Sequence, residues 1–188
     1  MAKAHNNPWK KLSSEVVHEN KWFSVRRDAV ITPDGKPREY NVIQQTDAVF
    51  IVAMDEDQRI RLVGLYRYTT DMYSLEVPAG NTDGQDPLLA AKRELQEETG
   101  LTAKTWRMLG KCQAANGVLN EFCYIFLAQG LIDTEKHQQK EEGITEAFSV
   151  SLVKALAMIK SGEITDSQSI VAITYAALDA GVGLKLQP

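Results

Sequence analysis

Residues 93–101 read Arg93-Glu94-Leu95-Gln96-Glu97-Glu98-Thr99-Gly100-Leu101. Upstream, Asp86 is a good N-cap and Pro87 suits a first helical turn, while Gly100 suits a helix end, so a helix is predicted from Pro87 to Glu98. At about 100° per residue, Leu88, Ala91 and Leu95 form a narrow apolar stripe fit to pack on a sheet. Glu94 and Glu98 stand one turn apart beside that stripe, and Glu97 lies ~60° from Glu94 on its other side. Three carboxylates therefore crowd one face, and Arg93 before Glu97 relieves only part of the repulsion. Glu97 and Glu98 also occupy the last turn, where the helix dipole is negative and each acid costs a few tenths to ~1 kcal/mol. A solvated acidic face is the plain reading of such a cluster. A divalent cation accounts for both the crowding and the position, because hard cations such as Mg²⁺ take carboxylate oxygens and fill their shell with waters or substrate phosphates.

Working outward, strands precede this helix and follow it. Phe23, Val25, Ala29 and Ile31 lead into the turn Thr32-Pro33-Asp34-Gly35, and Tyr40-Asn41-Val42-Ile43 leaves it, which is a hairpin signal. Ala48–Met54 and Ile60–Tyr66 are apolar runs joined by Asp55-Glu56-Asp57-Gln58, and Ser74–Val77 is a short strand ending at Pro78-Ala79-Gly80. After the helix, strands are expected near Thr105–Cys112 and Phe122–Leu127, then a charged, aperiodic loop over Ile132–Thr145. Helix patterns return at Leu152–Lys160 and Asp166–Asp179. This order predicts an α+β fold, an α/β/α sandwich around a mixed sheet, with residues 1–44 as a β-rich leader and 45–188 as the main domain. The leader before Ala48 has too little apolar surface to fold alone.

Composition narrows the function. A chain of 188 residues with 44% hydrophobic and 24% charged residues suits one soluble globular domain. Its net charge of −4 argues against a nucleic-acid partner, whose binding leans on a basic surface. No apolar run approaches the roughly 20 residues that span a bilayer. The start, MAKAHNNPWKKLSSE, holds no signal-peptide core, so a cytoplasmic protein is expected. Cys112 and Cys123 lack metal-ligand spacing and are read as buried thiols. His5, His18 and His137 have no partners at ligand spacing and are read as surface residues.

The segment from Gly80 to Leu101 resembles the signature box of the Nudix hydrolases, a glycine loop and a helix ending in R-E-U-x-E-E-x-G-U, where U is a bulky aliphatic. Every specified position from Arg93 through Leu101 is met. Leu65-Tyr66-Arg67-Tyr68 and Leu75-Glu76-Val77-Pro78-Ala79-Gly80 resemble the strand and loop before the box in ADP-ribose and nucleotide-sugar pyrophosphatases. The tail, Ala157–Ile164 and then Asp166–Leu178, is similar to that subgroup too. The first half of the box departs from the pattern: counting back from Arg93, the family's glutamate falls on Gln85, and the loop from Gly80 is one residue short.

The resemblance implies Mg²⁺-dependent hydrolysis of a nucleoside diphosphate sugar to a nucleoside monophosphate and a sugar phosphate, with Mn²⁺ as a substitute ion. It implies that Glu94, Glu98 and the Ala79 carbonyl bind metal, with Glu97 as a further or shared ligand that Arg93 orients. Gly80 would permit the turn, or be an ordinary strand-to-loop glycine. Arg67 is a candidate for substrate phosphate, since its fork fits phosphate oxygens, and Glu76 and Glu121 are candidates to support the metal site or orient Arg67. Trp22 lies where the resembling enzymes carry an aromatic that stacks on the nucleobase, often from a partner subunit, and a homodimer is implied. The general base of those enzymes lies on the loop that here spans Ile132–Thr145, which contains Glu135, Glu141 and Glu142, with Glu146 just beyond. Counting back from Val150 puts it on Glu141, with Glu142 as the alternative and a metal neighbour. Two other readings stand beside this one: a Nudix hydrolase of dinucleoside polyphosphates, nucleoside triphosphates or capped RNA, and a non-catalytic module that senses a nucleotide.

Overall fold

In a computed structural model, which describes residues 6–134 and 136–182, helix α1 spans Pro87–Thr99. Its ends are those its sequence dictates. The Asp86 side chain accepts from the Leu88 and Leu89 N–H groups, at 3.0 and 3.2 Å. At the other end Gly100 takes a left-handed φ of 73° and donates to the Gln96 carbonyl, a conformation that a Cβ disfavours. His5 and Glu135 lie outside the described residues.

The chain divides into two compact units, 47–114 with 122–188, and 1–46 with 115–121. The larger is built on a sheet of order β7-β4-β10-β8, from β4 (Ala48–Ala53), β7 (Ala79–Asn81), β8 (Leu101–Gln113) and β10 (Phe122–Asp133). β4 runs parallel to β10, and the other pairings are antiparallel, so the sheet is mixed. The period-2 alternation of β4 assigns its two faces. Val49, Ile51 and Ala53 meet Ala90, Ala91 and Leu95 of α1 on one side. Val52 and Met54 on the other side meet α2 (Leu152–Ser161) and α3 (Ser167–Asp179) through Leu152, Ala155, Ala172, Ile173 and Ala176. This is the expected α/β/α sandwich. An antiparallel sheet of order β11-β5-β6 completes the unit, from β5 (Arg59–Arg67), β6 (Met72–Glu76) and β11 (Ile144–Ser151).

The smaller unit is a sheet of order β1-β2-β3-β9. It comprises β1 (Lys10–Glu19), β2 (Ser24–Ile31), β3 (Pro37–Gln44) and the short β9 (Leu119–Asn120). β2 and β3 form the expected hairpin, turned where the Thr32 hydroxyl accepts from the Lys36 N–H. Asp28, buried in β2, is held by Ser14 and Arg26.

Three stretches differ from the sequence expectation. β1 pairs with β2 although every one of its residues is exposed, so it carries no inside–outside alternation to read. β8 begins directly after Gly100 rather than near Thr105, because Leu101–Ala103 pair with Leu131–Asp133 of β10. The same pairing shortens the loop, which runs only from Thr134 to Gly143. Among the described residues no helix is long and apolar enough to cross a membrane.

Candidate active site

The site forms where β7 passes the last turns of α1. Pairing with β4 sets Gly80 opposite Val49 and Ala79 opposite Phe50. The corner before β7 is tied on both sides: the Pro78 carbonyl accepts from Ile51 N–H at 2.8 Å, and Val77 N–H donates to Ser169 Oγ of α3 at 3.1 Å. Glu94 then lies against the backbone of Gly80. A Cβ there would sit 2.1 Å from Glu94 Cδ, so a side chain at residue 80 would displace the carboxylate; Gly80 serves close approach rather than a turn. Ala79 N–H donates to Glu98 Oε2 at 2.9 Å.

Arg93 holds the cluster together. Its guanidinium reaches Glu94 Oε1 at 2.8 Å and Glu97 Oε2 at 2.9 Å, and donates to the Asn81 carbonyl at 2.9 Å. It orients two glutamates, where the sequence assigned it one. Glu94 and Glu98 are both buried. Burial pushes the Glu94 carboxyl up to about 7, with Arg93 opposing and Glu97 and Glu142 adding to the rise. Burial also pushes Glu98 up to about 8, against the Ala79 hydrogen bond and with Glu94 and Glu142 adding.

Arg67, at the end of β5, makes a two-pronged pair with buried Glu76 of β6, Nε to Oε1 at 2.8 Å and the second nitrogen to Oε2. Its charge also reaches Glu98 and Asp166. Its side chain is 47% exposed although Glu76 takes one edge of its guanidinium.

The loop from Thr134 to Gly143 lies over the end of α1. Thr134 N–H donates to the Gly100 carbonyl at 2.9 Å and Gln138 N–H to the Glu97 carbonyl at 2.7 Å. The Gln139 side-chain amide donates to the Glu98 carbonyl at 2.9 Å. Glu141 and Glu142 are exposed on this loop, and Glu142 is the one whose charge is felt at both Glu94 and Glu98. Glu146 pairs instead with the Tyr73 hydroxyl.

Ala79, Arg93, Glu94, Glu97 and Glu98 thus gather at one place, with Arg67 and Glu142 within electrostatic reach. Trp22 and Glu121 belong to the smaller unit. Trp22 is 68% exposed, with Lys21 Nζ 4.2 Å from its ring centroid, and Glu121 is buried. Gln85 is exposed in the turn closed by its own N–H to the Thr82 carbonyl. His18 and His137 are exposed. Ser169 escaped the sequence reading; its signal was a hydroxyl on the stripe Ser169, Ala172, Ile173, Ala176 that buries α3.

Carboxylate and main-chain oxygens are the donors that hard divalent cations take. The cradle at Gly80 and two carboxyls that burial disposes to keep their protons suit a site where a cation would take the protons' place. Among the described residues no three His, Cys, Asp or Glu side chains form a ready-made cage, so an ion here would complete its shell with waters or phosphate oxygens.

Residues 44–169 match the NUDIX domain, and residues 9–43 match the nucleoside diphosphate sugar hydrolase N-terminal domain. The chain belongs to the Nudix family and is one of its pyrophosphohydrolase enzymes. It is 35% identical to an ADP-ribose pyrophosphatase of Mycobacterium tuberculosis over 86% of this chain and 80% of that protein. It is 30% identical to an ADP-ribose pyrophosphatase of Bacillus subtilis over 90% and 92%. A crystal structure of an ADP compounds hydrolase shares its fold, with a TM-score of 0.82, 22% identity, and coverage of 96% of this chain and 97% of that one.

Proposed function

We propose that this enzyme hydrolyses the pyrophosphate bond of nucleoside diphosphate sugars, ADP-ribose among them, with Mg²⁺, releasing a nucleoside monophosphate and a sugar phosphate. The observation that carries this reading is the buried pair of Glu94, packed on the Gly80 backbone, and Glu98, held by the Ala79 N–H in the negative last turn of α1. Helix physics would not keep it there without a cation to serve. The names of the two relatives supply the substrate class.

Glu94, Glu98, the Ala79 carbonyl and Glu97 would hold Mg²⁺, with Mn²⁺ as a substitute. When bound, the ion neutralises diphosphate charge and makes water a competent nucleophile near neutral pH. Arg93 keeps Glu94 and Glu97 turned toward each other against their repulsion. Arg67, braced by Glu76, offers its open edge to a substrate phosphate. The sequence count puts the general base on Glu141 with Glu142 as the alternative; Glu142 is preferred here because its charge reaches both buried glutamates. It takes the proton of the attacking water as the new P–O bond forms and the bridging P–O bond breaks, and the departing phosphate leaves with the bridging oxygen. A positioned base adds roughly 10²–10⁴-fold.

Trp22 is assigned to stacking on the base, and Glu121 to support of the substrate site. The working form is assigned as a homodimer. Leu12, Val16 and Val17 on the wholly exposed β1 offer apolar area for a second copy, and Trp22 is exposed beside them in sequence. Sedimentation at tens of micromolar should give a dimer, and a monomer there would remove this assignment.

The deciding experiment is a panel of nucleotide sugars incubated with enzyme and Mg²⁺, reading nucleoside monophosphate and phosphatase-releasable phosphate. Turnover of ADP-ribose that stops in excess EDTA is the expected result. Cleavage of triphosphates or dinucleoside polyphosphates alone, or full activity in EDTA, would overturn the reading.

A further inference from the structure

The loop that bears Glu141 and Glu142 has almost nothing apolar to hold it. From Thr134 to Gly143 no described residue is buried, and burial resumes only at Ile144. An open pocket of about 340 Å³ lies against it, lined by Arg61, Thr99, Gly100, Asp133, His137 and Gln139. What remains is hydrogen bonding to the end of α1. The last four carbonyls of a helix have no partner within it, and here Glu97 and Glu98 receive theirs from Gln138 and Gln139, while the capping Gly100 carbonyl takes Thr134.

Gln139 stands apart among these. Its side-chain amide grips the Glu98 carbonyl, while its own carbonyl accepts from Ile144 N–H at 2.8 Å, where β11 begins. Between them, Glu141 and Glu142 both donate their N–H groups to the Gln138 carbonyl, at 2.9 and 3.0 Å. The turn that presents the two acids is thus closed on itself and fastened to the metal-site helix by the Gln138 N–H and by the Gln139 side chain. Glu98 is at once a site carboxylate and the owner of the carbonyl that Gln139 holds.

We propose that Gln139 is a positioning residue, which sets the place of the Glu142 carboxylate relative to Glu94 and Glu98 by clamping the loop to the Glu98 carbonyl in the last turn of α1. The proposal rests on the function given above. A general base displaced by about 1 Å loses much of its effect, on the order of 10²-fold. Removing the clamp should therefore appear in kcat, while KM, set by Arg67 and the rest of the substrate contacts, stays close to the wild-type value.

The test is a double-mutant cycle with ADP-ribose and saturating Mg²⁺, using Gln139→Leu and Glu142→Gln. Gln139→Leu should lower kcat by roughly 10- to 100-fold with KM within about twofold, and should add little further loss in the Glu142→Gln background. Gln139→Glu, which keeps the size but places a carboxylate against a carbonyl, should lose as much. Gln139→Lys, which keeps a donor of similar reach at the negative helix end, should retain kcat within about threefold of wild type. No loss in Gln139→Leu, or the same loss in both backgrounds, would overturn the positioning role while leaving the proposed function standing. A wild-type enzyme that turns over no nucleoside diphosphate sugar would sink both, whereas a Glu142→Gln variant with normal kcat would overturn the positioning role and pass the base to Glu141.

Discussion

α1 and α2 end in the same way and are charged in opposite ways. Each terminates in a left-handed glycine, Gly100 at φ 73° and Gly162 at φ 80°. α2 carries Lys160 in its last turn, where a cation complements the dipole, while α1 has no basic residue there and carries Glu97 and Glu98. The end of α2 follows helix physics; the end of α1 opposes it. Burial keeps α1 folded nonetheless. Fully buried Leu95 contributes roughly 1.5–3 kcal/mol, comparable with the most that two misplaced acids cost. The contrast separates a terminus shaped by stability from one shaped by chemistry.

The largest effect that would test this contrast is at Glu98. Glu98→Gln keeps the shape and removes a charge that would hold the ion. Several kcal/mol of metal stabilisation corresponds to a fall in kcat of roughly 10³-fold. The metal-free variant should melt no lower than wild type, because a costly buried carboxyl is gone. A near-normal rate would move the metal elsewhere and make α1 an ordinary acidic helix end.

Gly80→Ala should rank next. The added Cβ would force Glu94 away from the β7 backbone, with a loss of about 10²-fold in kcat and a weaker response of the melting temperature to Mg²⁺. Unchanged kinetics would mean that Glu94 has room to spare.

The third effect is one of pH. Glu94 and Glu98 have folded values of about 7 and about 8, above the ordinary 4.5. A carboxyl raised on folding stabilises the fold fully below its unfolded pKa, and that stability is lost as pH rises through the folded value. The metal-free protein should therefore lose stability between about pH 4.5 and about pH 8 from this pair, and the gain in melting temperature on adding Mg²⁺ should grow over the upper part of that range. A gain independent of pH would disconnect the ion from these two carboxyls.

The smallest effect belongs to α2. Lys160→Glu would give α2 the kind of terminus α1 has, without a cation to justify it, and should cost about 0.3–1 kcal/mol in denaturant unfolding with turnover unchanged. A change in kcat would show that the two helix ends are not independent.

How far the sequence could be read follows from which interactions are local. Asp86, Pro87 and Gly100 marked α1 because caps act within one turn, and the spacing of Glu94 and Glu98 revealed the acid pair because helix geometry is regular. β1 left no such trace, since all its residues are exposed. The three-residue β7 exists only through its pairing with β4, and the need for glycine at residue 80 arises from a side chain on another element. The sequence ranked Glu141 above Glu142 only by counting back from Val150, because an aperiodic loop offers no register to check the count. Their placement depends partly on backbone carbonyls of α1, which every residue possesses and none advertises.

The tie between Val77 and Ser169 has a consequence in the order of synthesis. The two residues are 92 positions apart, so on the ribosome the three acids of α1 emerge well before the hydroxyl that secures the corner next to them. A nascent chain carries its carboxylates first and its finished scaffold last. Chains stalled before Ser169 should be inert toward ADP-ribose, because the corner beside the acids is not yet tied.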